Sequence, residues 1–276
     1  MLKSSNNIVS AGSSLLLEVV DLHLKFGGIW ALRGVSFSVS KGDLLSIIGP
    51  NGAGKTSLLN VISGFYKPNK GKVFFKGRDI TKLPPFKRAE LGISRTFQRV
   101  ELYRDMTVLD NVISGLIPKV KYLKKRFSTV KTALWTKEVR EEEVNARYLA
   151  EKVLDYLDIS QFRHRIVKTL PYGIQKKVEL ARALVMDPEI LLLDEPMGGL
   201  NFEEKEDMAR YIVSINEELG KTIVLIEHDL AAVMDLSERV IVMDYGRIIA
   251  EGTPEEVAND PKVIAAYMGE KTGSTR

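Results

Sequence analysis

Leu44-Leu45-Ser46-Ile47-Ile48-Gly49-Pro50-Asn51-Gly52-Ala53-Gly54-Lys55-Thr56-Ser57 decides the fold of this 276-residue chain. Leu44 to Ile48 is a short apolar run of the kind found in a strand covered on both faces. Gly49 to Thr56 follows at once and fits G-x-x-x-x-G-K-[ST], and a helical pattern runs from Ser57 to Ile62. A strand, a glycine loop and a helix in that order form a phosphate-binding loop. Glycines let successive backbone N–H groups curl around a β-phosphate, and the helix N-terminus adds positive dipole. Lys55 reaches the β- and γ-phosphates and the Thr56 hydroxyl is a Mg²⁺ ligand. Asn51, Gly52, Ala53, Gly54, Lys55, Thr56 and Ser57 are therefore the expected phosphate contacts of a bound nucleotide, ATP with Mg²⁺.

Downstream, Ile190 to Leu193 is an apolar strand that ends in Asp194 and Glu195, which puts two carboxylates at the edge where α/β proteins bind ligands. Asp194 would hold Mg²⁺, often through water, and Glu195 would polarise the water that attacks the γ-phosphorus. Gln98 follows a short strand read at Ser94 to Phe97, where its amide could ligate Mg²⁺ or the attacking water. Leu170-Pro171-Tyr172-Gly173-Ile174-Gln175 leads into a helix, and its start offers N–H groups to an anion. His228 follows the apolar strand Val224 to Ile226, again at a carboxyl edge. Alone it reads more readily as a hydrogen-bonded turn histidine than as a phosphate sensor.

The opening segment, Leu15 to Val39, is strand-like around a Gly27-Gly28 turn, and indicates a β-rich lobe. Between Gln98 and Leu170 the character turns helical. A basic stretch from Lys119 to Lys131 precedes Val144, Tyr148, Leu149, Val153 and Leu157 at helical spacing. Two β-then-α units come next, Ile190 to Leu193 with Glu203 to Leu219 and Thr222 to Ile226 with Leu230 to Leu236, before the strand Val240 to Met243. This alternation predicts a parallel sheet with helices on both faces.

Composition bounds the possibilities. Hydrophobic residues make up 45% of the chain, as in an ordinary globular protein, and Lys plus Arg exceed Asp plus Glu by only +4. With no cysteine there is no disulfide, thiol catalysis or thiolate metal site. No apolar run reaches the roughly 18 to 20 residues of a spanning helix, so membrane association is expected through another chain. Residues 1–14 read as a disordered tail rather than a signal peptide, and 270–276 as a flexible end.

Taken in order, the loop at 49–56, Gln98, Leu170 to Gln175, Asp194-Glu195, Gly198-Gly199-Leu200-Asn201 and His228 resemble the nucleotide-binding subunit of ABC transporters. The likeness covers Leu15 to Gly269. It implies an α/β P-loop NTPase core with an antiparallel β subdomain and a helical signature subdomain near 99–186. It also implies a head-to-tail dimer with a second ABC ATPase subunit, the same or different. ATP then lies between the P-loop of one chain and Tyr172-Gly173 of the other, with Lys55, Gln98, Glu195 and His228 as catalytic groups and Phe26 stacked on adenine. Phe26-Gly27-Gly28, the insert after Gln98, Glu227-His228-Asp229 and the segment Glu251 to Ile264 look like branched-chain amino-acid importer ATPases. That implies permease subunits as partners, no nucleic acid, and a place on the inner face of the cell membrane. A soluble ABC ATPase of an assembly or regulatory complex is the alternative. A nucleic-acid-associated ATPase usually carries paired cassettes or long coiled-coil insertions, and neither occurs here.

The chain departs from the family pattern at two places. Asn201 stands where Asp is more usual. The family signature is Leu-Ser-Gly-Gly-Gln, and here Pro171 replaces Ser and Ile174 replaces Gln. Proline is tolerated at a helix start, but it cannot donate a hydroxyl hydrogen bond to a γ-phosphate, which contributes on the order of 1.5 to 3 kcal/mol. The Gly173 N–H compensates only in part. Pro171→Ser is expected to raise ATPase turnover by roughly tenfold if about 1.4 kcal/mol is recovered in the transition state. The gain should be largest at limiting protein concentration. Steady-state assays across protein concentration check this, and equal or lower rates throughout would mean that the missing hydroxyl is not limiting.

Overall fold

A computed structural model describes residues 15–119, 137–227 and 230–273. The 1–14 tail, Lys121, Lys124, Lys125, Arg126 and Lys131 of the basic stretch, and His228 lie outside the described residues. Strands β1 (Leu15–Phe26) and β2 (Ile29–Ser40) form a hairpin, followed by β3 (Leu44–Ile48) and α1 (Lys55–Ile62). Then come β4 (Lys70–Phe75), β5 (Arg78–Asp79), α2 (Pro85–Glu90), β6 (Ile93–Arg95), α3 (Val108–Ser114) and α4 (Lys137–Tyr156). Next are α5 (Tyr172–Leu184), β7 (Ile190–Asp194), α6 (Phe202–Glu217), β8 (Thr222–Ile226), α7 (Leu230–Leu236) and β9 (Arg239–Asp244). The last elements are β10 (Arg247–Gly252), α8 (Pro254–Ala258) and α9 (Pro261–Gly273). The last helix thus continues into the stretch read as a flexible end.

The strands make two sheets. One is antiparallel, in the order β2-β1-β4-β5; the other runs β10-β9-β3-β8-β7-β6 and is parallel except for the β10–β9 pair. The parallel sheet explains why its strands are almost uninterrupted apolar runs. Side chains alternate between faces with period two. Leu45, Ile47, Ile190, Leu192, Val224, Ile226, Ile241 and Met243 point to one side, where they pack with α1 and the antiparallel sheet. Leu44, Leu191, Leu193, Ile223 and Leu225 point to the other, where they join residues of α3, α4, α5 and α6. Every residue of β3, β7 and β8 is buried. A strand covered on both faces has no solvent side on which to place polar residues.

Two local readings shift. The β6 strand ends at Arg95, short of the expected Phe97. Thr96 N–H still bonds the Leu192 carbonyl, but Phe97 N–H turns to the Glu179 carboxylate instead of the sheet. In α4 the buried face carries Ala146, Ala150 and Leu154, while Val144 and Tyr148 are exposed. Leu149 and Val153 pack against the core and Leu157 is buried as the spacing predicts, whereas at Val144 and Tyr148 the helix turns outward and alanines take the close contact.

The helix behind the phosphate loop is held at its far end by a buried guanidinium. Arg88 on α2 is 1% exposed. Its Nη1 donates to the carbonyls of Val61 and Ile62 at 2.7 and 2.6 Å, where α1 ends; the Val61 carbonyl also accepts the Gly64 N–H at 3.2 Å. Its Nε and Nη2 reach the carbonyls of Leu83 and Thr81 at 2.9 and 3.0 Å. Burial lowers its pKa to about 10, still far above neutrality. Arg88→Met would leave several buried acceptors unsatisfied, at about 1 to 3 kcal/mol each. The expected loss of stability is roughly 3 kcal/mol or more, with Arg88→Lys recovering only part because an ammonium cannot span all four carbonyls. Urea unfolding of the three proteins reads it, and an unchanged midpoint for Arg88→Met would refute the anchor.

Candidate active site

The loop from Gly49 to Gly54 fits because its first and last glycines stand against neighbouring backbone. A Cβ on Gly49, at φ +145°, would lie 2.0 Å from the Met243 carbonyl oxygen, and one on Gly54, at φ +104°, 2.4 Å from that of Ala31. Gly54 is also the N-cap of α1 and carries no side chain to fill the anion position. The loop is tied down by the β9–β10 turn: Gly246 N–H bonds the Ala53 carbonyl at 2.9 Å, and Arg33 N–H bonds the Gly246 carbonyl at 2.8 Å. Lys55 is buried, with its ammonium bonded to the carbonyls of Gly49 at 2.5 Å and Pro50 at 3.0 Å. This folds the cation over the loop, where the β- and γ-phosphates come. Asn51 and Gly52 are exposed, Ala53 is buried, and Thr56 and Ser57 are half-buried at the start of α1.

The acid pair ends β7, which is separated from β3 by β8 alone. Asp194 is fully buried, and its Oδ2 accepts from Arg95 Nη2 at 2.8 Å. Arg95 also bonds Asn60 Oδ1 at 2.6 Å and Ser63 Oγ at 2.9 Å on and just beyond α1, so one guanidinium joins the acid strand to the loop helix. Burial raises the Asp194 pKa; Arg95 and, more weakly, Thr56 oppose it, which places the hydroxyl and the carboxylate within each other's influence. Asp194 Oδ1 is buried and has no hydrogen-bond partner among the described residues. A buried oxygen beside a hydroxyl at a phosphate loop fits a hard cation brought in by the nucleotide.

Glu195 turns out of the strand with φ +51°, an uncommon left-handed backbone for a residue with a Cβ. Such strain collects at functional sites. Its Oε2 accepts from Gln98 Nε2 at 3.0 Å, so the two predicted water-handling groups meet. The turn beyond it is fixed by buried Glu227, whose Oε1 accepts the Met197 N–H at 2.9 Å. Asn201 caps α6 by a reciprocal pair of bonds with Glu204, a capping role that Asn fills as well as Asp. Pro171 precedes α5 as its N-cap, with Tyr172 exposed and Gly173 buried in the first turn. Phe26, at the end of β1, is 47% exposed and meets Tyr66 edge to face, with centroids 5.1 Å apart.

Arg95, Glu227, Tyr66 and Lys176, whose ammonium reaches the carbonyls of Gln98 and Glu195, escape the sequence reading. Arg95 gave no local signal: it stands in the short strand Ile93–Arg95, and only the register, Arg95 beside Leu192, brings it near Asp194. For Lys176 there was none, since Glu179 shares its helix face and lysines are common on helices.

A phosphate loop with a buried lysine, and an acid pair one strand removed, define a P-loop nucleoside triphosphatase. A family model described as ABC transporter matches residues 32–198, and another, described as Branched-chain amino acid ATP-binding cassette transporter, matches residues 247–271. The high-affinity branched-chain amino acid transport ATP-binding protein BraF of Pseudomonas aeruginosa is 39% identical over 255 residues, covering 92% of this chain and 98% of that protein. A nucleotide-free ATP-binding cassette from an ABC transporter superposes with a TM-score of 0.79 at 36% identity, over 92% of this chain and 98% of the other. A dimeric cassette in a post-hydrolysis state with ADP and Pi has a TM-score of 0.71 at 27% identity, over 87% and 99%. The chain belongs to the ABC transporter family and is an ATP-hydrolysing cassette of it.

Base stacking on an aromatic is worth about 1 to 3 kcal/mol and tolerates any base. Phe26→Ala is therefore expected to weaken ATP and GTP binding alike by roughly tenfold, with a smaller effect of Tyr66→Ala. Titration with fluorescent nucleotides measures it; wild-type affinity in Phe26→Ala would remove Phe26 from the base site.

Proposed function

We propose that this chain is the ATPase subunit of an ABC importer for branched-chain or related amino acids, working as a cassette dimer on membrane permeases at the cytoplasmic face. The observation that carries the proposal is likeness to a branched-chain amino acid transport cassette along 92% of the chain, together with a separate match of 247–271, beyond the nucleotide site. No helix among the described residues is long and apolar enough to cross a membrane, which fits attachment through other chains.

The chemistry follows from the side chains. Lys55 and the N–H groups of Gly52 to Thr56 hold the β- and γ-phosphates, and Phe26 holds the base. Mg²⁺ would be held by Thr56, Asp194 and Gln98, and when bound it neutralises charge on the transferring phosphoryl group. Glu195, steadied by Gln98, accepts a hydrogen bond from a water and draws its proton as the oxygen attacks the γ-phosphorus; ADP leaves with the phosphate loop's support. His228 is the proposed partner of the γ-phosphate. Tyr172 and Gly173 serve the second chain's nucleotide, so closure of the dimer completes two sites at once, and reopening after hydrolysis moves the permeases.

Glu195→Gln should bind ATP and lose turnover by roughly 10² to 10⁴, accumulating the closed dimer. Gel filtration with ATP and Mg²⁺, alone and with any cassette co-isolated from detergent-solubilised membranes, tests closure; a monomer peak in every case overturns it. The same isolation tests the partner: polytopic permease chains support import, and soluble partners alone favour an assembly or regulatory ATPase.

A further inference from the structure

Two buried charges on one face of α5 grip the catalytic loops of the same chain. Lys176 and Glu179, three residues apart and therefore neighbours on the helix surface, are 3% and 2% exposed. Lys176 Nζ donates to the backbone carbonyl of Gln98 at 3.1 Å and to that of Glu195 at 3.2 Å. Glu179 Oε1 accepts the backbone N–H of Phe97 at 3.2 Å. The grip thus falls on the main chain of the two residues whose side chains meet at 3.0 Å. Because the bonds go to backbone, the Gln98 amide and the Glu195 carboxylate keep their own hydrogen-bonding capacity for ligand and water. The ions are also held at a cost. Burial lowers the Lys176 pKa and raises that of Glu179, and Lys176 lies in the field of Glu179, Glu227, Glu195 and Asp194. A buried charge that neither binds phosphate nor fills the apolar core needs a purpose that this contact supplies.

The same helix is fixed toward α6 on its other side. Lys177 pairs with Asp207 at 2.9 Å and lies over the Tyr211 ring, 4.8 Å from its centroid. Its first turn carries Tyr172 and Gly173. We propose that Lys176 is a positioning residue that sets the separation of Gln98 and Glu195, so that the placement of α5 governs the water-activating pair of its own chain. With the dimer proposed above, on which this inference rests, the first turn of α5 faces the partner's nucleotide. Lys176 is then the point at which occupancy of one site is felt in the chemistry of the other.

The full chain carrying Lys176→Met keeps the apolar stem and loses the ammonium. Affinity for a fluorescent ATP analogue is expected to stay within about twofold of wild type, since Lys55 and the phosphate loop are untouched. By contrast kcat falls about 10- to 100-fold at nearly constant KM, the scale of a misplaced catalytic group, and amide exchange across residues 97–101 accelerates. Lys176→Arg restores a large part of both. A folded Lys176→Met chain with kcat and exchange both within twofold of wild type overturns the proposal, as does an equal loss of nucleotide affinity. Should Lys176→Met fail to fold, Glu179→Met, which removes the acceptor of the Phe97 N–H, takes its place with the same expected split and the same overturning result. Wild-type turnover, measured alongside, separates the two levels: a wild type that binds but never hydrolyses ATP sinks the ATPase reading, and exchange at 97–101 still decides the grip.

Discussion

The site depends on backbone packed directly against backbone. Between β3 and α1 the chain runs so close to the Met243 and Ala31 carbonyls that no Cβ fits at Gly49 or Gly54. That approach lets the β9–β10 turn clamp the loop through Gly246 and lets β2 reach the same turn through Arg33. The antiparallel sheet, which carries Phe26, is registered to the phosphate loop by main-chain bonds rather than by side chains. Phe26 and the glycine loop therefore keep a fixed separation, as the proposed base platform and phosphate cradle require.

The architecture was legible because the parallel strands are buried twice over. Residues such as Leu191 and Leu192 enter different cores although they are adjacent, and a run that must satisfy both cores reads as continuous apolar sequence. The glycine loop and the acid pair were legible because phosphate and metal chemistry restricts residue type at fixed spacing. Part of the inner face of α4 was hidden by alanines, whose burial depends on what they meet. Likewise hidden were groups defined by long-range contact. Arg95 meets Asp194 across 99 residues and Lys176 meets Gln98 across 78, and nothing local requires either. His228 lies outside the described residues, and its role remains a proposal.

Charges are buried here where they connect elements. Arg88 joins the end of α1 to the α2 region, Arg95 joins α1 to β7, and Lys176 joins α5 to the loops after β6 and β7. Ion burial stabilises little on its own account. Its effect is geometric, since a multidentate cation fixes several acceptors at once. The loop helix and the acid strand are joined in this way, and the helix bearing Tyr172 and Gly173, packed on the sheet through Val178, Ala181 and Leu184, is tied to the catalytic loops by Lys176 and Glu179.

The left-handed backbone at Glu195 ties the persistence of activity to selection. A glycine would adopt that conformation without penalty, so the residue proposed to perform the chemistry is also one the local backbone resists. Where hydrolysis ceased to matter to the organism, a change to glycine at this position would relieve the backbone. A silent cassette descended from this one would carry its loss as a relaxed turn after β7, in a protein no less stable than its active ancestor.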